Sequence, residues 1–237
     1  MMLGWGIIAM LVPVVFLTSA ISGMFGMAGG MILMAVLLLL MPLPLAMVIH
    51  AVIQTASNSW RCWLWRKHIV WSALPFYLLG VAAGFVLVIF FAYVPDKAWA
   101  LIMMGTLPLL ALAFRRYLNL TITNRAHAFV SAVILTFIQM TAGVVGPLLD
   151  TLYNQAPLTR QQIVSTKAFT QTCMHILRFV YYGLLVSTVT VDESPIMIVA
   201  ALSVPLVILV SASIAGTSAA AFVLHRMDDV RFKSIST

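Results

Sequence analysis

The chain has 237 residues, of which 63% are hydrophobic and only 8% are charged, with a mean hydropathy of +1.09. A soluble domain carries roughly 25% charged residues, so this composition excludes a water-covered globule and points to a polytopic membrane protein. The formal net charge of +7 does not mark a nucleic-acid binder, because Lys and Arg collect in the cytoplasmic loops of membrane proteins.

Strict apolar/polar alternation over tens of residues is absent, so an all-α fold is expected rather than a β-barrel. A helix is predicted over about 4–22. Its run into the main body, with no basic leader, predicts no cleavable signal. The stretch SGMFGMAGGMILM (22–34) interrupts it with Gly23, Gly26, Gly29 and Gly30. A short apolar segment, 31–41, ends at MPLP. A helix over about 45–66 closes on Arg66, Lys67 and His68. Runs at 69–94 and 97–114 are long enough to cross a core of about 30 Å. The polar linker RRYLNLTITNR (115–125) leads to a helix over 127–141. A second glycine break, TAGVVGP (141–147), opens an irregular stretch to about 158. A long helix is predicted over 159–182. The loop STVTVDESP (187–195), a last apolar block over 196–225 and a polar tail complete the chain. Cys62 and Cys173 fall in predicted helices without metal-binding spacing, so they read as free thiols and neither a metal nor another cofactor is expected.

A shift of 117 residues superposes the halves without a gap. Gly26 falls on Gly143, Gly29 on Gly146, Gln54 on Gln171, Thr55 on Thr172 and Arg61 on Arg178. His50 meets Lys167 and Asn58 meets His175. Coincident glycines and rare polar residues predict two membrane repeats, 1–117 and 118–237, within one integral membrane domain. Loop charge bears on their orientation. Basic residues follow the first long polar helix, whereas the matching loop of the second half carries Asp192 and Glu193. The positive-inside tendency then reads the repeats as inverted, although the basic residues of the tail run against it.

The glycines need an explanation, since each costs about 1 kcal/mol in a helix interior relative to Ala. Gly26 and Gly30 form a GxxxG, which suits close helix packing or a homo-oligomer. Length requires more. Residues 5–41 as one helix would reach about 55 Å, far beyond the bilayer core. A break near 23–30 is therefore expected, and the second half breaks at the aligned place. Paired breaks in a membrane chain point to a transport site, with half-helix N–H groups available to an anion.

His50, Gln54, Asn58 and Arg61 fall within an arc of roughly 80° on a helix. Lys167, Gln171, His175 and Arg178 repeat that geometry. Such residues face a protein interior or a water-filled cavity. Gln54, Gln171 and Lys167 are read as site residues. Arg61 and Arg178 are read first as structural, bonding between helices or snorkelling to an interface. His50 and His175 can each be a donor, a proton carrier or a structural imidazole. Asp150 is the single acid near a break. It can pair with Lys167, carry a coupling proton or cap a half-helix. One acid among several donors predicts a net-positive cavity for an anion.

GMAGGMILMAVLLLLMPLPLAMVIHAVIQTASN, and GVVGPLLDTL followed by VSTKAFTQTCMHILRFVYYG, resemble the two signatures of the TauE/SafE sulfite exporter family, clearly over about 15–182. The chain departs from the pattern at Ala35, where a Pro is frequent, and at His50, where a small hydroxyl residue is common. The resemblance implies a bacterial inner-membrane protein of about eight segments from a duplicated unit. It implies movement of sulfite or sulfonates, outward and driven by the proton gradient. It places the glycine turns and the Thr166, Lys167, Gln171 and His175 face along the substrate path. The expected function is therefore a secondary transporter of small anions. Its site would comprise Gly26, Gly29, Gly30, His50, Gln54, Asn58, Gly143, Gly146, Thr166, Lys167, Gln171 and His175, with Asp150, His50 and His175 as proton-coupling candidates. A passive anion channel and a membrane assembly factor are the alternatives. No metal cluster or nucleophile–base set in the sequence suggests an enzyme.

Overall fold

The computed structural model describes residues 5–25, 28–91, 94–114, 120–143, 145–186, 203–224 and 226. Among them the chain forms nine α-helices and no strand. In order these are α1 (Trp5–Phe25), α2 (Ala28–Leu40), α3 (Leu43–Leu64), α4 (Leu74–Phe91), α5 (Lys97–Phe114), α6 (Arg125–Ala142), α7 (Gly146–Asn154), α8 (Arg160–Val180) and α9 (Ser203–Leu224). Two 3-10 turns, Arg66–His68 and Trp71–Ala73, link α3 to α4, and a π-helical turn, Tyr181–Leu185, ends α8. The loop over 187–195 and the tail beyond 226 lie outside the described residues.

Among the described residues, four segments are long and apolar enough to cross a membrane: Trp5–Met24, Trp71–Phe91, Arg125–Ala142 and Ser203–Leu224. Their outward faces are apolar, with Leu79, Phe90, Val207 and Phe222 all exposed, as lipid contact requires. The run over 97–114 forms a helix of 18 residues with Pro108 inside, about 27 Å at about 1.5 Å per residue. Its bounds are those the sequence predicted, and Lys97–Ala113 falls among the shorter apolar helices.

α3 and α8 are as long as the spanning helices but too polar to face lipid. They pack against each other, with α9 along α3 and α4 touching α8. His50, Gln54, Ser57, Asn58 and Arg61 of α3 are all buried, as are Ser165, Thr166, Lys167, Thr170, His175 and Arg178 of α8. The polar faces read from the sequence therefore meet inside an apolar jacket. The jacket is closed by crossings that only small residues permit. α4 lies on α6, where a Cβ on Gly84 would stand 2.8 Å from the Val133 carbonyl oxygen. α9 lies on α1, where a Cβ on Gly216 would overlap the Phe16 carbonyl.

The glycine stretches break the helices in register. α6 ends at Ala142, α2 packs back on α1 with Gly29 against the Thr18 carbonyl, and α3 and α8 begin at Leu43 and Arg160, 117 residues apart. α6 stops because Gly143 takes φ 81°, the left-handed cap that glycine adopts without a Cβ penalty. The second break corrects one expectation. The irregular stretch predicted to about 158 is mostly α7, a nine-residue helix. Pro147 stands in its first turn, where a missing N–H costs nothing and the fixed φ favours helix. The proline that the sequence placed within the break TAGVVGP is a start signal.

Candidate functional site

Between the two breaks lies a small polar cavity. It is lined by Ser22 of α1, Gly30 of α2, and His50, Gln54, Asn58 and Arg61 of α3. Gln139 of α6, Val145 and Gly146 at the start of α7, and Gln171 and His175 of α8 complete it. The space open to the centre of a water-sized sphere is about 20 Å³, room for about one or two waters.

The polarity of the lining is one-sided. Among the described residues that line it, none is a carboxylate. Arg61 Nη1 donates to Asn58 Oδ1 at 3.3 Å, but Arg61 Nε and Nη2 and Gln54 Nε2 are buried with no hydrogen-bond partner. Gln54 is held by Asn58, whose Nδ2 donates to the Gln54 carbonyl at 2.9 Å and to its Oε1 at 3.4 Å. The first turns of α2 and α7 meet the same space at Gly30 and Gly146. Helix N-termini carry unpaired N–H groups and the positive end of the helix dipole. Buried donors without partners are costly, and an acceptor-rich anion is the ligand that relieves that cost.

A second layer holds this one in place. His50 Nε2 donates to the Gly30 carbonyl at 2.9 Å, fixing α2 to α3. Arg178 Nη1 donates to His50 Nδ1, also at 2.9 Å. A carbonyl only accepts and a guanidinium only donates, so His50 is the neutral tautomer with its proton on Nε2. Arg178 Nη2 donates to the Gln139 carbonyl at 3.1 Å and to the Gly143 carbonyl, satisfying acceptors that the end of α6 leaves open. Gln139 Nε2 donates to His175 Nδ1 at 3.4 Å, and the His50 and His175 rings meet edge to face with centroids 5.5 Å apart.

Of the residues named from the sequence, the cavity gathers Gly30, His50, Gln54, Asn58, Gly146, Gln171 and His175. Gly26 lies outside the described residues. Gly29 lets α2 approach the Thr18 carbonyl of α1, Gly143 caps α6, and Thr166 Oγ1 accepts from the Val70 amide at 3.0 Å. Lys167 and Asp150 form a buried ion pair between α8 and α7, so Asp150 is neither a cap nor solvent-facing. Arg61 and Arg178 are 3% and 0% exposed, so neither snorkels. Arg178 has the structural role expected of it, whereas Arg61 lines the cavity. The sequence reading also passed over Ser22 and Gln139. A signal for both was present, since the 117-residue shift carries Ser22 onto Gln139.

The profile of the family described as sulfite exporter TauE/SafE matches residues 11–236. The chain belongs to that family, a family of membrane transporters. No curated protein matches the chain significantly, and no solved structure does.

Proposed function

We propose that this member of the sulfite exporter TauE/SafE family is a secondary transporter that carries a small sulfur oxyanion or sulfonate through the cavity between α2 and α7, outward across a bacterial inner membrane. The observation that carries this reading is the set of unpartnered buried donors, Gln54 Nε2 and Arg61 Nε and Nη2, in a lining whose described residues include no carboxylate. Three oxygens on one sulfur present acceptors in several directions, which suits donors converging from a side-chain amide, a guanidinium and two helix N-termini. The lining pairs Ser22 with Gln139, Gln54 with Gln171 and Asn58 with His175 across the 117-residue shift. That pairing supports a duplicated unit with its substrate site at the repeat interface, the arrangement of many secondary transporters.

An open pore fits this geometry less well. A space for about one or two waters must widen before an anion enters, and a site that widens to admit its ligand is carrier behaviour. The test is sulfite binding and sulfite flux with the purified full chain in detergent and in proteoliposomes. Gln54→Ala and Arg61→Gln each remove hydrogen bonds to a charged ligand, worth about 1.5–3 kcal/mol, so each is expected to weaken sulfite about 10- to 100-fold. Wild-type affinity in both variants would place the site elsewhere.

A further inference from the structure

Lys167 is the aligned counterpart of His50, yet His50 lines the cavity and Lys167 does not. Its ammonium is drawn instead to Asp150 Oδ1, while Asp150 Oδ2 is buried with no partner. The position aligned with Asp150 in the first half is Leu33, a core leucine. The second half thus carries an acid where the first has a leucine. Asp150 stands one helical turn beyond Gly146, and Lys167 one turn before Gln171, and both of those residues line the cavity. The ion pair therefore bolts α7 to α8 within a turn of the site.

We propose that Asp150 and the anion compete for Lys167, which makes this pair the proton-coupling switch of the transporter. The inference rests on the cavity being the anion site. With Asp150 ionised, its carboxylate occupies Lys167 and holds α7 closed on α8. A proton from the aqueous side to which the cavity opens neutralises Asp150. Lys167 then turns to the cavity as a second cation beside Arg61, and α7 is released to widen the site. By reciprocity, a bound anion favours the protonated carboxyl. Proton and anion are taken up together and leave together on the other side, so outward movement runs on the anion's own gradient and not on the inward proton gradient expected from the sequence.

The neighbouring elements leave few rivals for the role. Against α7, α2 carries no titratable side chain. α5 carries Lys97, which donates to the Met41 carbonyl. α6 carries Arg125 and His127 in its first turn, over Phe76 and bonded to the Thr121 amide. Around α8, α3 brings His50 and Arg61, α4 brings Tyr77, which donates to Met174 sulfur, and the 3-10 turn carries Arg66, Lys67 and His68, all exposed.

The experiment is calorimetric titration of sulfite into the purified full chain at two pH values one unit apart. Wild type is compared with Asp150→Asn and with the double variant Asp150→Leu/Lys167→Met. Protonation of sulfite itself acts on all three alike, so affinity ratios isolate the switch. Asp150→Asn is expected to bind more tightly than wild type, with an excess that shrinks by up to about tenfold per unit fall in pH, the limit for one linked proton. The double variant should bind more weakly than wild type at the lower pH and approach it at the higher. It restores the apolar partner of the first half and is expected to fold even if Asp150→Asn does not. Ratios independent of pH overturn the switch. If they are flat while Arg61→Gln still weakens binding about 10- to 100-fold, the switch alone fails. If Arg61→Gln also binds like wild type, the cavity reading fails with it.

Discussion

α1–α2–α3 and α6–α7–α8 share one plan, a long helix, a glycine break, a short helix and a long polar helix, yet they use the same positions differently. Arg61 and Arg178 are aligned, buried and one turn or less from an aligned site residue, Asn58 or His175. Arg178 is spent on structure, bonded to His50, Gln139 and Gly143. Arg61 keeps two donors without partners in the cavity. His50 and Lys167 are aligned too, one a neutral tether of α2 and the other half of a charged tether of α7. The lesson is that near-symmetric placement does not give symmetric work. One half holds α2 by neutral contacts, and the other holds α7 by a bond that a proton can break.

The arginines give the largest expected contrast. Arg178→Gln leaves the carbonyls of Gln139 and Gly143 and the Nδ1 of His50 without their donor. We expect a loss of about 3 kcal/mol, since bonds to a charged donor are worth about 1.5–3 kcal/mol each. It would be read as a lower Tm in detergent. Arg178→Lys should not rescue it, because an ammonium cannot span three acceptors as a planar fork does. Arg61→Gln should instead raise the Tm of the ligand-free protein slightly, by removing buried donors that have no partner, while losing sulfite. A lower Tm for Arg61→Gln than for Arg178→Gln would reverse the assignment of the two roles.

Adjacent glycines give the next contrast. A Cβ on Gly29 would overlap the Thr18 carbonyl and crowd Ser22 Oγ at 2.7 Å, so Gly29→Ala must push α2 off α1. Overpacking of this kind costs about 1–3 kcal/mol. A Cβ on Gly30 would meet Gln54 Nε2 at 3.4 Å, an ordinary contact. Gly30→Ala should therefore fold as well as wild type and even gain helix propensity, but its methyl would stand over a donor. Sulfite affinity is expected to fall about tenfold, the loss of about one hydrogen bond to the anion. Unfolding of Gly30→Ala, or wild-type binding by it, would remove Gly30 from the site.

Much of this arrangement was legible in the sequence. The 117-residue shift, the length of 5–41 and the polar faces of α3 and α8 fixed the broken helices and seven of the cavity residues. What escaped depended on direction and partnership. Helical spacing put Arg61 and Arg178 on matching faces, but only packing decides which guanidinium finds three acceptors. Thr166 and Lys167 belong to the same buried face, yet one is bonded to the Val70 amide and the other to Asp150. α7 was hidden because Pro147 reads as part of the break until its place in a first turn is known.

The starts of α3 and α8 provide the smallest test, and a control on the others. Both helices begin at the same aligned position. α3 is entered through Pro42 with Pro44 in its first turn and no side-chain cap. α8 is entered through a capping box, in which the Thr159 amide donates to Gln162 Oε1 at 2.9 Å and the Gln162 amide donates to Thr159 Oγ1 at 3.4 Å. Thr159→Ala should cost about 1 kcal/mol, visible as a modest fall in Tm. Lys167 lies about two turns further along α8, behind a first turn that fraying alone would not carry to the site. Sulfite affinity and its pH dependence should therefore match wild type. A change in either would mean that the entry of α8 sets the position of Lys167, and that the charged tether of the second half begins at the capping box rather than at Asp150.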